Sequence, residues 1–210
     1  MSFPESLPLT VAPTSRRELN KAATREAIAL AALDFLRSGD LNTFTVDDVA
    51  EAAGVSRRTF FNYFSSVEAA VASFTQNYLD QVIVELEARP AGEPLLESAQ
   101  IALSALGNAH DLGILAETFA LTQDPQLSRF QLQAWDECST KITQFARDRM
   151  PAGTDELFLF TLVGAVIGGG RAAFLVWFLE HGTDVTQASL SDLRNKLQAA
   201  ISLIRQGFPN

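Results

Sequence analysis

Cysteine and histidine are nearly absent from this 210-residue chain, which has one cysteine, Cys138, and two histidines, His110 and His181. A single cysteine excludes an intramolecular disulfide, and one cysteine with two isolated histidines does not form a cluster with the spacing of a zinc site. The sequence also lacks a G-x-S-x-G motif and a glycine-rich phosphate loop that follows a strand. We therefore predict no catalytic residue, no metal site and no cofactor, and we do not expect an enzyme.

Apolar–polar alternation, the pattern typical of β-strands, is missing as well. Apolar residues recur instead at steps of three and four, and prolines and glycines separate the periodic segments. This pattern predicts an all-α fold, with Asp111 or Gly113 separating two of the helices. Beyond the first third of the chain, one predicted helix is capped by Ser66 or Ser65 and runs to about Ala88. Further helices are predicted over about 95–109, 112–122, 125–149, 155–181 and 189–206.

The N-terminus has no basic segment followed by an apolar one, the pattern of a secretory signal, so residues 1–15 are expected to form a flexible tail. One stretch, 157–178, is apolar over a length that could span a membrane. Arg171 near its middle and three consecutive glycines favour instead a helix buried in a core or an interface. We expect a cytoplasmic protein without a membrane segment.

Residues 45–64, TVDDVAEAAGVSRRTFFNYF, carry the most informative local pattern in the chain. Thr45 and Asp48 have the spacing of a capping box at the start of a helix. Gly54 can adopt a left-handed conformation without steric cost, and Ser56 can cap a second helix that begins at Arg57. A short helix, a turn containing glycine and a capped second helix together indicate a helix-turn-helix.

The second helix of this motif concentrates the groups that contact DNA. Guanidinium, hydroxyl and amide groups read base edges and bind phosphates, and an aromatic ring can touch a thymine methyl group. The predicted DNA-contacting residues are Arg57, Arg58, Thr59, Phe61, Asn62 and Tyr63, with Thr45, Arg16, Arg17 and Lys21 holding phosphates. The alternative is an ordinary helical hairpin whose polar face is solvated.

Residues from about 16 to 72 resemble the N-terminal DNA-binding domain of the TetR family of transcriptional regulators. The resemblance lies in a T-x-x-x-[IV]-A helix, an A-G-V-S turn and a T-[FLI]-[YF]-x-[YH]-F recognition helix. The residues that carry it are Thr45, Val49, Ala50, Ala53, Gly54, Val55, Ser56, Thr59, Phe60, Phe61, Tyr63, Phe64 and Glu68. One position departs from the pattern, because Val67 stands where the family commonly has Lys, and we expect the loss of one phosphate contact there.

The resemblance implies a division of the chain into three parts. Residues 1–15 are the tail, residues 16–65 are the helix-turn-helix DNA-binding domain, and residues 66–210 are a helical effector-binding and dimerisation bundle. The charge fits this division. The net charge is −9, yet residues 1–64 hold seven Lys/Arg and eight Asp/Glu, whereas residues 65–210 hold nine and seventeen. The acidic second part is expected to disfavour non-specific DNA binding.

In the resembled family the last two helices usually form a homodimer. Here helix 155–181 is too apolar for solvent, and the final helix, 189–206, carries an apolar stripe that needs a partner. A two-fold pair of such helix hairpins forms a four-helix interface, and a dimer reads two half-sites of a palindromic DNA duplex. The alternative is that both helices fill the core of one monomer.

An effector pocket is expected within the aromatic-rich bundle. Its predicted residues are Phe119, Phe130, Trp135, Arg171, Phe174 and Trp177, although each aromatic side chain could equally be core. Arg171 needs a partner, either a carboxylate such as Glu117 or a ligand anion. Residues 116–150 loosely resemble a TetR subgroup with acyl-CoA-like ligands, which implies a small hydrophobic or acyl effector.

The function predicted from these features is that of a sequence-specific transcriptional regulator, a homodimeric repressor that a small effector releases from its palindromic DNA site. Two alternatives remain open. One is a DNA-binding regulator without a small-molecule switch, and the other is a helical module that acts only through protein partners.

Overall fold

The structure is a computed structural model that describes residues 15–38, 44–105, 109–120, 125–182 and 186–208. Within these ranges it contains α-helices and no strand, which confirms the predicted all-α fold. The helices are α1 (Arg16–Ser38), α2 (Val46–Ala52), α3 (Arg57–Tyr63), α4 (Val67–Glu87), α5 (Leu95–Ala105), α6 (Ala109–Ala120), α7 (Pro125–Arg149), α8 (Glu156–His181) and α9 (Gln187–Gln206). Apart from Ser15, the predicted tail lies outside the described residues.

Side chains just before the helices set where several of them begin. The Ser15 hydroxyl accepts from the Glu18 backbone N–H at 3.2 Å, and the Glu18 carboxylate accepts from the Ser15 N–H at 2.8 Å. Ser66 caps α4, Asp155 caps α8, and Thr186 forms a capping box at the start of α9. These caps satisfy backbone N–H groups that have no partner in a first helical turn.

The predicted break at Asp111 or Gly113 is wrong, because both residues lie inside α6. Gly113 is buried within that helix, and a glycine there costs only about 1 kcal/mol relative to alanine, which packing can offset. The two predicted helices around this point are observed as Leu95–Ala105 and Ala109–Ala120.

Two apolar clusters form the interior, and α4 contributes to both. The first cluster joins α1, α2, α3 and the start of α4, and it includes Ile28, Phe60 and Val71. The second fills the bundle from the later turns of α4 to α9. Ile114 on α6 and Leu127 on α7 also reach the first cluster. Helix α4 therefore belongs structurally to both halves, and the domain boundary near residue 65 stays a prediction.

The last two helices, α8 and α9, pack closely against each other. The Trp177 indole N–H donates to the backbone carbonyl of Ser189 at 2.5 Å. A methyl group placed on Gly169 would lie 3.3 Å from a methyl carbon of Ile204, so the glycine permits this close approach. One face of α8 is thereby buried in the bundle.

The other face of α8 is not covered by the residues that the structure describes. Among the described residues α8 is long and apolar enough to cross a membrane, and 22% of its most apolar 18-residue window is buried. Within the monomer this helix is therefore only partly buried, and its burial in an interface stays a prediction. The described helices of the bundle pack on one side of α8 only.

Candidate DNA interface and effector cavity

The turn between α2 and α3 has the predicted geometry. Thr45 and Asp48 form a capping box in which the Thr45 N–H donates to the Asp48 carboxylate at 2.7 Å. Gly54 has a φ of 67°, in the left-handed region, and the next N–H, that of Val55, donates to the Ala50 carbonyl at 2.9 Å. These contacts position the start of α3 relative to α2.

Helix α3 has one buried side and one exposed side. Phe60 is fully buried and Phe64 nearly so, with ring centroids 6.2 Å apart, and together they attach the helix to the first apolar cluster. The exposed side carries Arg57, Arg58, Phe61 and Asn62, whereas Thr59 and Tyr63 are half-buried at its edge. The structure thus brings four of the six predicted recognition-helix residues onto one solvent-facing surface.

Three predicted DNA contacts already have partners within the chain. The Arg57 guanidinium lies 2.6 Å from the Asp47 carboxylate and over the Phe61 ring. The hydroxyls of Thr59 and Ser56 are 2.8 Å apart. The Thr45 hydroxyl donates to the capping carboxylate of α2 at 2.7 Å. DNA binding by these side chains would require an exchange of partners.

The basic residues of α1 fall into two groups. Arg16, Arg17 and Lys21 are exposed along the first turns of the helix. Arg25 is half-buried, donates to the Tyr63 carbonyl at 3.3 Å and lies over the ring of Phe64 at 4.4 Å. The first group is available to phosphates, and Arg25 connects α1 to the end of α3.

Val67, at the position where the resembled family commonly has Lys, is buried in the first cluster. It is the first residue of α4, directly after the Ser66 cap. The valine therefore contributes to the packing between the DNA-binding helices and α4, a role that the sequence comparison alone did not indicate.

A cavity of about 60 Å³ lies among α4, α5, α7, α8 and α9. Hydrocarbon side chains form most of its wall, and none of the lining side chains is charged. Of the six predicted pocket residues, Trp135 and Phe174 line it. The bundle thus contains a small apolar cavity whose wall includes two of the predicted aromatic residues.

The other four predicted pocket residues lie elsewhere. Trp177 is fully buried between α8 and α9, and Phe119 packs against Phe174 from behind the cavity wall, with centroids 5.8 Å apart. Phe130 lies under the Arg129 guanidinium beside a surface groove. Arg171 is exposed on α8. Periodicity could not separate these positions, because aromatic spacing does not show which neighbour each helix face meets.

Glu117, the predicted partner of Arg171, pairs instead with Arg37. The Arg37 Nε donates to the Glu117 carboxylate at 2.9 Å, and Arg37 also contacts Asp34 at 2.7 Å. The hydrogen bond to Glu117 raises the pKa of Arg37 above its ordinary value. This ion pair joins α1 of the DNA-binding half to α6 of the bundle, and its members are 80 residues apart in sequence.

Tyr78 is a cavity residue that the sequence analysis did not predict. Its side chain lines the cavity, and its hydroxyl is buried without a hydrogen-bond partner among the described residues. Burial raises the pKa of this phenol, so it is neutral and can donate. Cys138 also lines the cavity, and burial raises the pKa of its thiol to about 12, which keeps the thiol protonated. Helical periodicity places Tyr78 inward but cannot show that its hydroxyl lacks a partner.

A cluster of charged side chains stabilises the loop between α4 and α5. The Glu93 carboxylate accepts from Arg89 at 2.8 Å and from the Ser98 hydroxyl at 2.6 Å, and these contacts lower its pKa to about 2. Arg149 donates to the Arg89 carbonyl and lies 4.4 Å over the ring of Phe145, a cavity residue. The cluster fastens α5 to the ends of α4 and α7.

One group of possible metal ligands occurs among the described residues, namely Glu180, His181 and Asp192. The Lys196 ammonium lies 2.8 Å from Glu180 and 3.3 Å from Asp192. A lysine already supplies positive charge to these carboxylates, so we interpret the group as an ion-pair network that connects α8 and α9.

Large apolar side chains are exposed along α8 and around the end of α9. Leu157 is 75% exposed and Leu179 is 74% exposed, near opposite ends of α8. Phe158, Phe160, Leu175 and Val176 are also exposed on this helix, as are Leu203 and Phe208 nearby. We call these eight residues the α8–α9 apolar face. A patch of this kind usually marks an interaction surface.

Comparisons with known proteins agree with this architecture. Residues 28–76 match the family model described as "Bacterial regulatory proteins, tetR family". Over 177 residues the chain is 22% identical to a putative mycofactocin biosynthesis transcriptional regulator of Mycobacterium tuberculosis, covering 83% of this chain and 89% of that protein. It is 28% identical over 186 residues to the HTH-type transcriptional regulator TcmR of Streptomyces glaucescens, covering 83% and 82%.

A solved structure shares the fold over most of its length. It is Thermus thermophilus FadR, described as a transcriptional repressor in complex with lauroyl-CoA, and the two chains are 21% identical. The TM-score is 0.53, and the match covers 89% of this chain and 95% of the other. This likeness supports the arrangement of an N-terminal helix-turn-helix followed by a helical bundle.

Proposed function

This chain belongs to the TetR family of bacterial transcriptional regulators, and from that premise we propose that it is a homodimeric repressor released from a palindromic DNA site by a small effector. The observation that carries the proposal is the exposed surface of α3, formed by Arg57, Arg58, Phe61 and Asn62 and supported from behind by Phe60. As a regulator that acts on DNA, it would work in the cytoplasm.

The proposed DNA contacts divide by role. Arg58 and Asn62 would read base edges from the centre of the exposed surface, and Phe61 would touch a thymine methyl group or the backbone. Arg16 and Lys21, with the neighbouring Arg17, would hold phosphates beside the groove. Arg57, Thr59, Thr45 and Tyr63 would contact DNA after exchanging or adjusting their present contacts.

Dimerisation through α8 and α9 would cover the α8–α9 apolar face. Two copies of this face related by a two-fold axis would form a four-helix interface, and closed two-fold symmetry is the commonest arrangement of soluble oligomers. The dimer would also place two α3 helices for successive major grooves, one helical turn of DNA apart. An unpaired monomer would leave this face in water.

The bundle cavity is the proposed effector site. Its wall is apolar, which suits a small hydrophobic or acyl molecule, and FadR of the same fold has been solved with lauroyl-CoA. A ligand there would contact Phe174, whose ring packs against Phe119 on α6. Two residues before Phe119, Glu117 pairs with Arg37 on α1, so a shift of α6 would reach the DNA-binding half.

Helix α4 offers a second connection, because it lines the cavity with Tyr78 and Leu86 and shares the first apolar cluster with α3 through its first turns. An effector that moves α4 or α6 would change the separation of the two α3 helices. Thermodynamic linkage then requires effector and DNA to weaken each other's binding by the same factor.

The test is a selection of bound duplexes from a random library by the full-length protein, followed by salt-titrated binding of the enriched sequence. We expect an inverted repeat whose affinity falls steeply with salt and which one dimer occupies, as measured by sedimentation of the complex. Absence of any enriched sequence at low salt would refute DNA binding, and a single unrepeated half-site bound by a monomer would refute the dimer.

The cavity volume favours a second candidate, a DNA-binding regulator without a small-molecule switch. At about 60 Å³ the cavity is smaller than the roughly 150 Å³ cavity that accommodates benzene in a protein core. An effector would therefore have to displace wall side chains. If no compound that enters the cavity changes affinity for the selected duplex, this second function replaces the first.

A further inference from the structure

The chemistry of the cavity wall restricts what can bind there. The polar side-chain groups of the lining are the Tyr78 hydroxyl, the Trp135 indole and the Cys138 thiol, and the rest is hydrocarbon or glycine. The thiol is a weak hydrogen-bonding group, so the tyrosine hydroxyl and the indole N–H are the two effective hydrogen-bond donors of the wall. A ligand would meet an apolar surface with very few polar partners.

The Tyr78 hydroxyl stands out because it is unpaired. It is buried, and no hydrogen-bond partner for it exists among the described residues. The ring packs edge-on against Phe174 with centroids 6.1 Å apart, which holds it in the cavity wall. A buried hydroxyl without a partner destabilises the folded protein, and an acceptor atom on a ligand would remove that cost.

The lining of this cavity offers no charged partner to a negatively charged group. Arg194 on α9 lies close enough to Tyr78 to oppose the rise in pKa that burial causes, but it is not part of the lining and already has another interaction. Arg89 and Arg149 also lie beyond the lining and are already engaged. Arg89 binds the Glu93 carboxylate, and Arg149 donates to the Arg89 carbonyl while covering Phe145. Burial of an unpaired carboxylate costs far more than burial of a carbonyl.

We propose that the effector is a neutral, mainly hydrocarbon molecule with one carbonyl oxygen, such as a ketone, aldehyde or ester, and that this oxygen accepts a hydrogen bond from Tyr78. The inference depends on the proposed use of the bundle cavity as the effector site. It excludes a free carboxylate inside the cavity and assigns Tyr78 as the residue that distinguishes a carbonyl compound from a plain hydrocarbon.

The test uses the full-length protein and three small probes, 2-heptanone, heptanoate and toluene, at pH 7 and without DNA. Binding is followed through the change in tryptophan fluorescence, to which Trp135 in the cavity wall contributes, and by chemical shifts of the protein's methyl groups. We expect 2-heptanone and toluene to bind and heptanoate to bind at least tenfold more weakly than the ketone. Tyr78→Phe should weaken 2-heptanone by roughly threefold to tenfold, the effect of one neutral hydrogen bond, and leave toluene unchanged.

A second variant tests whether the probes bind in the cavity, without any change to the Tyr78 hydroxyl. A methyl group on Gly170 would lie 4.0 Å from the Trp135 ring, so the position opens into the cavity without a clash. Gly170→Leu should weaken all three probes by filling that space. Gly164→Ala is the matched control on the same helix, because a methyl group there meets no atom within 4 Å.

Three results would overturn the inference: binding of heptanoate as tight as that of 2-heptanone, an unchanged ketone-to-toluene ratio in Tyr78→Phe, or no binding of any probe. Failure of the proposed function would look different. If 2-heptanone binds through Tyr78 but leaves affinity for the selected duplex unchanged, the ligand chemistry stands and the switch is refuted.

Discussion

At the scale of single residues, the two arginines that open α3 are in different states. Arg57 contacts Asp47 and Phe61, whereas Arg58 is exposed and has no ion pair within the described part of the chain. We therefore expect Arg58→Ala to lower affinity for the selected duplex by about 1–3 kcal/mol if the guanidinium reads a base, with specificity relaxed at one position. Filter binding against single-base variants of the duplex measures both effects.

The control for this substitution is Arg205→Ala, which removes an equal charge at the far end of α9, where the arginine contacts Gln100. It should leave DNA affinity within about twofold, because exposed charges more than a Debye length away are largely screened. Equal losses in the two variants would mean that Arg58 contributes only general positive charge.

Asp47 is a second residue with a distinct expected effect. Its carboxylate holds the Arg57 guanidinium at 2.6 Å and faces the same surface as the proposed DNA contacts. Asp47→Asn should raise DNA affinity by roughly twofold to fivefold, since an exposed ion pair contributes at most about 1 kcal/mol and DNA would no longer have to displace it. The logarithm of the DNA-binding constant should also fall more steeply with the logarithm of the salt concentration.

Asp34→Asn provides a comparison for Asp47, because Asp34 is an exposed α1 carboxylate that also contacts an arginine, Arg37. It should leave DNA affinity nearly unchanged. Weaker binding by Asp47→Asn than by the unmodified chain would show that Asp47 orients Arg57 for DNA instead of competing for it.

At the scale of helices, the turn between α4 and α5 depends on the charge of Glu93. Its pKa is lowered from 4.5 to about 2 by Arg89 first and then by Ser98, so the folded protein binds the proton less readily than the unfolded chain does. The resulting stabilisation is present above about pH 4.5 and is lost as the pH falls toward 2. Glu93→Gln should therefore lower the melting temperature at pH 7, and the difference from the parent should shrink steadily below pH 4.5.

Glu97→Gln is the matched control for this pH series, because Glu97 is an exposed carboxylate one turn further along, in the first turn of α5. Its melting temperature should follow that of the parent throughout. A Glu93→Gln deficit of constant size from pH 7 to pH 3 would contradict an ionic contribution and indicate lost packing instead.

The helices also show which features the sequence could predict. The caps at Ser15, Thr45 and Ser56 were predictable because each involves residues three positions apart. The exposure of Arg171 was not, because hydropathy along α8 is high on all sides and gives no indication of which face meets α7 and α9.

Helical periodicity also could not predict contacts between residues that are far apart in the sequence. Arg37 and Glu117 are 80 residues apart, and their pairing depends on how α6 packs across α1. The sequence predicts that Val67 lacks a phosphate contact, and it could not show that this residue packs in the first apolar cluster. The helix-turn-helix surface was predictable in type, whereas the cavity wall, with Tyr78 in it, depends on the packing of five helices.

At the scale of the whole molecule, two features need an explanation in a protein that binds DNA: the negative charge of residues 65–210 and the exposed α8–α9 apolar face. Residues 65–210 carry most of the net charge of −9, so a monomer would gain little from non-specific attraction to DNA. Two linked half-sites compensate for weak individual contacts, because the second contact forms at a high effective concentration. In the proposed dimer, the α8–α9 apolar face would provide that linkage.

Leu179→Glu tests this argument directly. Leu179 is 74% exposed in the monomer, so the substitution should leave the fold intact while placing a charge in the proposed interface. Sedimentation should show monomers, and affinity for the inverted repeat should fall by about 10²–10⁴, to the level of a single half-site. Val84→Glu, at a 61% exposed position on α4 outside this face, should retain the dimer and full affinity. Monomers that still bind the repeat with full affinity would show that the two half-sites are not read by one dimer, and the exposed face of α8 would then belong to a different partner.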